Sequence, residues 1–257
     1  MSILMGVGDF VAWEGGCLLI GRATNPTPMH SHYAIQIGFG VEPGIRFRPD
    51  EDSGWTEYET AIIASRQPHT MDATVVPGNA IIFVDPETPE GRAIDARYLR
   101  SGIAAVSDAE FRTAAAALFE TWRMHGNAEP TIAAAREAVD VLAQGAKAAP
   151  VSDERILRAT AYIRAHIDAP LTLEEVAREA YLSPGRFRHL FVEQTGTGLR
   201  QYILWRRFLR AWEVVAQGGS LSEAAHAAGF ADAAHLTRTS HRMFGFPPSA
   251  LQLTGRH

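Results

Sequence analysis

The stretch AAHAAGFADAAHLTRTSHRMFGFPPSAL, Ala224 to Leu251, is a second copy of something found earlier in the chain. Shifted by about 49 residues, it falls onto SPGRFRHLFVEQTG, Ser183 to Gly196. Leu236 then lies over Phe187, Thr239 over Leu190, Ser240 over Phe191 and Gly245 over Gly196, while upstream Ala225 lies near Ala177 and Ala228 near Ala180. Each copy opens with a capping box, TLEE from Thr172 and SLSE from Ser220. In such a box the hydroxyl and the glutamate each satisfy an otherwise unpaired amide of the first helical turn. Ser183 and Pro184 read as the cap and first residue of the helix that follows. The unit is therefore a short capped helix, a tight turn and a helix with apolar residues inside and Arg/His outside. Helix-turn-helix is the arrangement that fits, with the N-terminal half of its second helix entering a major groove.

Charge supports that reading. Arg186, Arg188 and His189 crowd the first half of their helix, where the macrodipole favours anions. A helix start so poorly matched to itself is well matched to a phosphate backbone. The net charge of −5 hides an asymmetry: residues 1–150 hold 11 basic against 19 acidic residues, and residues 151–257 hold 13 against 10. Every basic residue of the second part is arginine, the better fork for phosphate and guanine edges. A long helix from about Leu199 to Ala216 joins the two units, and its Arg200, Arg206, Arg207 and Arg210 read as structural or phosphate-facing. Ahead of the first unit, Ile156, Leu157, Thr160, Ile163 and Ile167 mark one more helix, stopped before Pro170.

The first hundred residues read as β-structure. YAIQIGF places Tyr33, Ile35, Ile37 and Phe39 on one face. GIRFR sets Ile45 and Phe47 against Arg46 and Arg48, and ETAIIAS, MDATVVPG and NAIIFVD follow at turn signals. From Ser107 to His125 an apolar stripe of Phe111, Ala115, Leu118, Phe119 and Trp122 predicts a helix, with a second from about Thr131 to Ala143. This hairpin is expected to pack onto the β domain or onto another subunit. Gln144 to Asp153 reads as the linker. The fold class is multidomain α+β: a cupin-like β-barrel or sandwich over 1–100, a helical hairpin over 105–148 as dimerisation region, and an all-α domain with two helix-turn-helix units over 152–257.

On these motifs the region from about Asp153 to Leu253 resembles the DNA-binding domain of the AraC/XylS family of bacterial transcription regulators. The resemblance implies base reading by Gly185, Arg188 and His189 in the first unit and by Ala234, His235 and Arg238 in the second, with Thr237 at a backbone-contacting position. Gly185, Ala233 and Ala234 offer little to bases, so readout leans on Arg186, Arg188, His189, His235 and Arg238. Ser240 departs from the family's Phe, which is expected to loosen the second unit unless Met243 or Phe246 compensates.

PMHSHYAIQ and IIASRQPHTMDA resemble the two short motifs of cupin barrels, with Gln36 in place of an acid and Arg66 where a glycine is usual. His30, His32 and His69 could hold a metal, but a structural or effector-pocket role, with Gln36 and Arg46, is preferred. Trp55, Tyr58 and Arg48 are further candidates for such a pocket. No cofactor and no enzymatic activity are expected. The expected partners are double-stranded DNA, a small-molecule effector of unknown identity and a second copy of the chain. A ligand-independent regulator and a metal-dependent cupin enzyme fused to a DNA-binding domain are the alternatives. One cysteine, Cys17, precludes an intrachain disulfide. No apolar run approaches a membrane span and the N-terminus does not read as a signal peptide, so the expected setting is cytoplasmic.

Overall fold

The computed structural model describes residues 4–144 and 153–253, so most of the linker expected at Gln144 to Asp153 lies outside the described residues. The chain opens with β1 (Gly6–Trp13) and β2 (Gly16–Ala23), followed by β3 (Ile35–Gly40), β4 (Ile45–Arg48), β5 (Thr56–Tyr58), β6 (Thr60–Ile63), β7 (Thr70–Asp72) and β8 (Asn79–Val84). Then come α1 (Pro89–Tyr98), β9 (Ile103–Val106), α2 (Ala109–His125) and α3 (Glu129–Ala143). The C-terminal part holds α4 (Glu154–Ala165), α5 (Leu173–Glu179), α6 (Pro184–Thr195), α7 (Leu199–Ala216), α8 (Leu221–Ala227), α9 (Ala233–Phe244) and a short β10 (Leu251–Leu253).

Two sheets form the β part: seven strands in the order β10-β1-β2-β8-β3-β6-β9, and three in the order β5-β4-β7. Both faces of the large sheet are covered. Leu18, Ile20, Ile35, Ile37, Phe39, Ile62 and Ile82 meet the buried stripe of α2 and α3. Cys17, Ala61, Ile63, Ile81 and Phe83 belong to a second core, shared with Ile45 and Phe47 of the small sheet and with the C-terminal helices. Burial on both faces explains why β3 and β8 are almost continuously buried although YAIQIGF reads as alternating. Tyr33, expected beside Ile35 and Ile37, precedes the strand and belongs to the other core.

The helical hairpin takes the first of its two expected places. Phe111, Ala115, Leu118 and Phe119 are buried against the chain's own sheet, and the Trp122 indole donates to Asp9 at 2.7 Å. Sequence patterning missed β5 and five further elements. The first two strands lie in the apolar start of the chain. Helix α1 interrupts the β region, its Thr88 cap and Pro89 having announced it. Strand β9 extends the sheet past residue 100. Strand β10 pairs parallel to β1, Gly6 opposite Leu251, so the last described residues of the helical domain complete the sheet of the β domain.

Candidate nucleic-acid interface and buried histidine cluster

Helices α5–α6 and α8–α9 are the two repeat units. Both capping boxes are formed, at Thr172/Glu175 and Ser220/Glu223. Helix α6 is capped by Ser183 and α9 by Asp232, and both end in a left-handed glycine, Gly196 and Gly245. Phe187 and Leu236 are fully buried at matching positions.

That packing leaves the predicted readers outside. Gly185, Arg186, Arg188, His189, Ala234 and Arg238 are exposed; His235 and Thr237 are half-buried. Nothing lies within 4 Å of where a Gly185 side chain would begin. The His235 ring stands edge-on to Phe230 at 5.3 Å, and its Nδ1 accepts from the Ala231 amide at 3.4 Å. Arg188 and His235 line one groove of about 1040 Å³, together with Arg200, Arg207 and Arg242. Arg242 was not singled out from the sequence, although its place four residues after Arg238 puts it on the same helix face.

The linker-helix arginines divide by role. Arg206, half-buried, forms an ion pair with the buried Asp85 at 2.5 Å, and Asp85 also accepts from the Trp205 indole at 3.0 Å. Arg207 donates to the carbonyls of Ile167 and Ala169, bracing α7 against the end of α4. Arg210 pairs with Glu213 on the surface, and Arg200 is exposed. Close to the Asp85 pair, the Tyr33 hydroxyl donates to Glu87 at 2.6 Å and lies 3.1 Å from the carbonyl of Thr195, the last residue of α6. Arg92 donates to the neighbouring carbonyl of Gln194 at 2.6 Å. Burial, reinforced by the charge of Asp85, pushes the Glu87 carboxyl up to about 7.

In the β domain the structure gathers three of the predicted residues into one buried cluster. His30, His32 and His69 are all buried, with ligand nitrogens within 4.8 Å of one another. His30 and His69 exchange main-chain hydrogen bonds of 3.1 and 3.0 Å, which locks two of the rings side by side. Gln36 joins them, its side-chain oxygen 2.9 Å from His32 Nε2 and 3.2 Å from His69 Nε2. Arg46 does not. Strand alternation turns it away from Ile45 and Phe47 onto the outer face, where it lies 3.8 Å from Glu57. Arg48 and Trp55 stack on each other at 5.0 Å, also on the outside. Burial lowers His30 to about 4 and His32 to about 3, and holds His69 well below the ordinary imidazole range. At neutral pH all three rings are uncharged. Cys17 is buried as well, and burial raises its thiol well above the usual range. No helix among the described residues is long and apolar enough to cross a membrane.

The cluster touches the second unit. Phe244, the last residue of α9, stacks on His32 with ring centres 5.9 Å apart and planes at 25°, and lies 6.1 Å from His30. The same ring packs against Phe83, Trp205, Phe208 and Trp212. Ser240, at the position of the expected phenylalanine, is fully buried and donates to the Phe246 carbonyl at 2.6 Å. The aromatic bulk of this unit therefore comes from Phe244 and Phe246, with Met243 only half-buried.

Comparison with known proteins agrees with this geometry. Residues 176–253 match a helix-turn-helix domain family. The regulatory protein PocR of Salmonella typhimurium is 29% identical over 99 residues, 38% of this chain and 33% of PocR. The multiple antibiotic resistance protein MarA of the same organism is 28% identical over 97 residues, 37% of this chain and 76% of MarA. The chain thus spans about a third of the length of PocR. Among solved structures, ToxT from Vibrio cholerae superposes with a TM-score of 0.62 over 96% of this chain and 99% of that one. Identity is 9%, so the likeness is one of fold.

Proposed function

We propose that residues 176–253, which match a helix-turn-helix domain family, form an AraC-type DNA-binding domain, and that the chain carrying it is a transcription regulator that addresses two successive major-groove segments. One observation carries the reading. Two repeat units with formed caps leave Arg186, Arg188, His189 and Arg238 exposed and His235 half-buried while burying Phe187 and Leu236 between them. Arginine against the guanine O6/N7 edge is the commonest specific contact. Arg200 and Arg242 extend the cationic face toward phosphates. Full-length protein should bind duplex DNA with log affinity falling linearly and steeply against log salt; a flat response refutes the reading.

In this reading the β domain is the control element. The helices and the β domain share one core, sealed by β10 and by Phe10 edge-on to Trp212 at 5.5 Å. A ligand that binds the two arrangements of this interface with different affinity changes how the recognition helices are presented. ToxT has been crystallised bound to an unsaturated fatty acid. In this chain the apolar cavity beside Met71, Ile81, Phe246 and Leu251 is only about 90 Å³, below the size of an ordinary ligand pocket. The His30, His32, Gln36 and His69 cluster is the effector site we favour. A homodimer through α2 and α3 belongs to the same proposal. The apolar stripe of this hairpin is taken by the sheet, leaving its outer face, with Ala116, Ala117 and Met124, to meet a partner. Sedimentation of the full chain tests it, and a monomer at micromolar concentration would remove it.

A further inference from the structure

We propose that Tyr181 and Arg158 together hold the sugar–phosphate backbone of a DNA duplex on the outer flank of the first helix-turn-helix unit. This contact deepens the DNA-binding reading of the two units and rests on it.

The internal repeat reaches further back than the helix-turn-helix units. Shifted by about 49 residues, Ile156, Ala159, Thr160 and Ile163 of α4 fall on Trp205, Phe208, Leu209 and Trp212 of α7, and all of them are buried. Each unit is thus three helices, and the same shift lays Arg158 on Arg207. In the turn between second and third helix, Tyr181 corresponds to Gly229, and both are left-handed. Each copy therefore has a corner where an arginine of the first helix meets a left-handed turn residue.

The two corners are filled differently. In the second unit Arg207 donates to the carbonyl oxygens of Ile167 and Ala169, in the connection between α4 and α5. That connection presses so close that a side chain at Gly229 would meet the oxygens of Ile167 and Asp168 at 2.7 and 2.9 Å. The corner is a site for oxygen acceptors, and here the first unit supplies them. In the first unit Tyr181 is 79% exposed and Arg158 is exposed, its guanidinium 4.8 Å from the centre of the tyrosine ring. A bulky side chain is an outlier in this conformation, and the fold keeps it there without burying the ring. Glycine would relieve the strain, as it does at the second turn. Strain of this kind collects where a residue meets a ligand.

Place and chemistry give the ligand. Two residues after Tyr181 comes Ser183, the cap of α6, and Gly185 and Arg186 open that helix exposed. With the N-terminal half of α6 in a major groove, the turn ahead of it stands at the groove rim, over phosphates. In the second unit the corner arginine, Arg207, lines the cationic groove beside Arg188 and His235. The matching corner of the first unit lies one repeat further along, where the duplex runs on and no third unit stands. Phosphate oxygens are acceptors, as the carbonyls at Arg207 are. Arg158 supplies charge and the Tyr181 hydroxyl a hydrogen bond, and both side-chain types position proteins on the backbone without reading sequence. Arg155, nearer the start of α4, is held instead by Asp153 at 2.6 Å.

The test uses full-length protein and the duplex it selects from random sequence. Tyr181→Gly should weaken binding about tenfold on this duplex and on unrelated ones alike, with base preference unchanged. Its melting temperature should not fall, because the substitution relieves the left-handed strain. Tyr181→Phe keeps ring and strain but loses the hydroxyl, and should weaken binding about threefold. Arg158→Ala should flatten the slope of log affinity against log salt by about one, the share of a single phosphate. Variants that bind as the wild type does overturn the contact. So does a binding loss accompanied by a lower melting temperature, which would make Tyr181 structural. Wild-type protein that binds no duplex refutes the DNA-binding reading and the contact with it, whereas a wild type that binds no better than the variants loses the contact alone.

Discussion

In the first helix-turn-helix unit the aromatic ring stands at Phe191 and a hydroxyl one turn later at Thr195; in the second the order is reversed, with Ser240 and then Phe244. The exchange redirects the unit. Phe191 packs inward on Phe187 and Tyr202, and Thr195 folds back onto the Phe191 carbonyl at 2.7 Å. Phe244 instead reaches out of its unit into the β domain, while Ser240 closes locally on Phe246. The first unit therefore meets the β domain through polar contacts, Tyr33 and Arg92 to the end of α6, and the second through a buried aromatic wedge. Two near-repeats can present similar faces to DNA and yet differ in what anchors them. Polar latches respond to protonation, and wedges respond to whatever reshapes the wall they press on.

The sharpest way to break this comparison is to remove each ring. Phe244→Ala and Phe191→Ala should each cost about 3–5 kcal/mol. Only Phe244→Ala should also raise exchange around His30 and His32, and equal effects there would dissolve the distinction. Next comes the polar latch. A Glu87 carboxyl raised from its ordinary 4.5 to about 7 contributes stability that is complete below its unfolded value and lost as pH rises through 7. The histidines have the opposite sign. Their contribution is complete above 6.5 and lost as pH falls through about 4 for His30 and 3 for His32. Glu87→Gln should abolish the loss toward neutral pH in urea-unfolding midpoints, and a variant profile parallel to wild type would take Glu87 out of the latch.

Smaller effects concern the outer faces. Arg188→Ala and Arg238→Ala should each relax preference at one base position by about 1–3 kcal/mol without changing stability. A uniform weakening on all sequences would reassign them to phosphates. The smallest difference lies in the turns. Tyr181 and Gly229 occupy corresponding left-handed positions, with φ of 53° and 68°. Tyr181 is 79% exposed, whereas a side chain at Gly229 would meet the Ile167 carbonyl oxygen at 2.7 Å. Tyr181→Gly should stabilise by at most about 1 kcal/mol, and Gly229→Ala should destabilise by about 1–3 kcal/mol. Thermal melts of the pair would show whether the two turns are as unequal as their surroundings.

Much of this was legible in the residues. The repeat could be read because capping boxes, helix-ending glycines and periodic apolar positions are local signals, written within a dozen residues. The outward placement of Arg188 and Arg238 follows from the same periodicity. The site in the β domain was only half legible. His30 and His32 share a strand-like spacing, and His69 follows its own proline, but Arg46 was named only as a polar candidate near a pocket, and alternation turned it outward. Strands β1 and β2 were passed over although Gly15-Gly16 and Asn25-Pro26 mark turns around β2, because a short apolar run such as CLLIG has no alternation to tell a buried strand from a helix segment. Strand β10 could not be foreseen, since three residues at the end of a helical domain carry no trace of a partner at Gly6.

By itself the sequence determined the two helix-turn-helix units, their outward arginines and the hairpin that follows the strands, because caps and periodicity act over short range. Only the tertiary structure decided that the hairpin spends its apolar stripe on its own sheet, that the buried Asp85 pairs with Arg206, and that three histidines converge under Phe244. Those outcomes depend on which distant surfaces exclude water together. That is set by packing of the whole chain rather than by any one stretch of it.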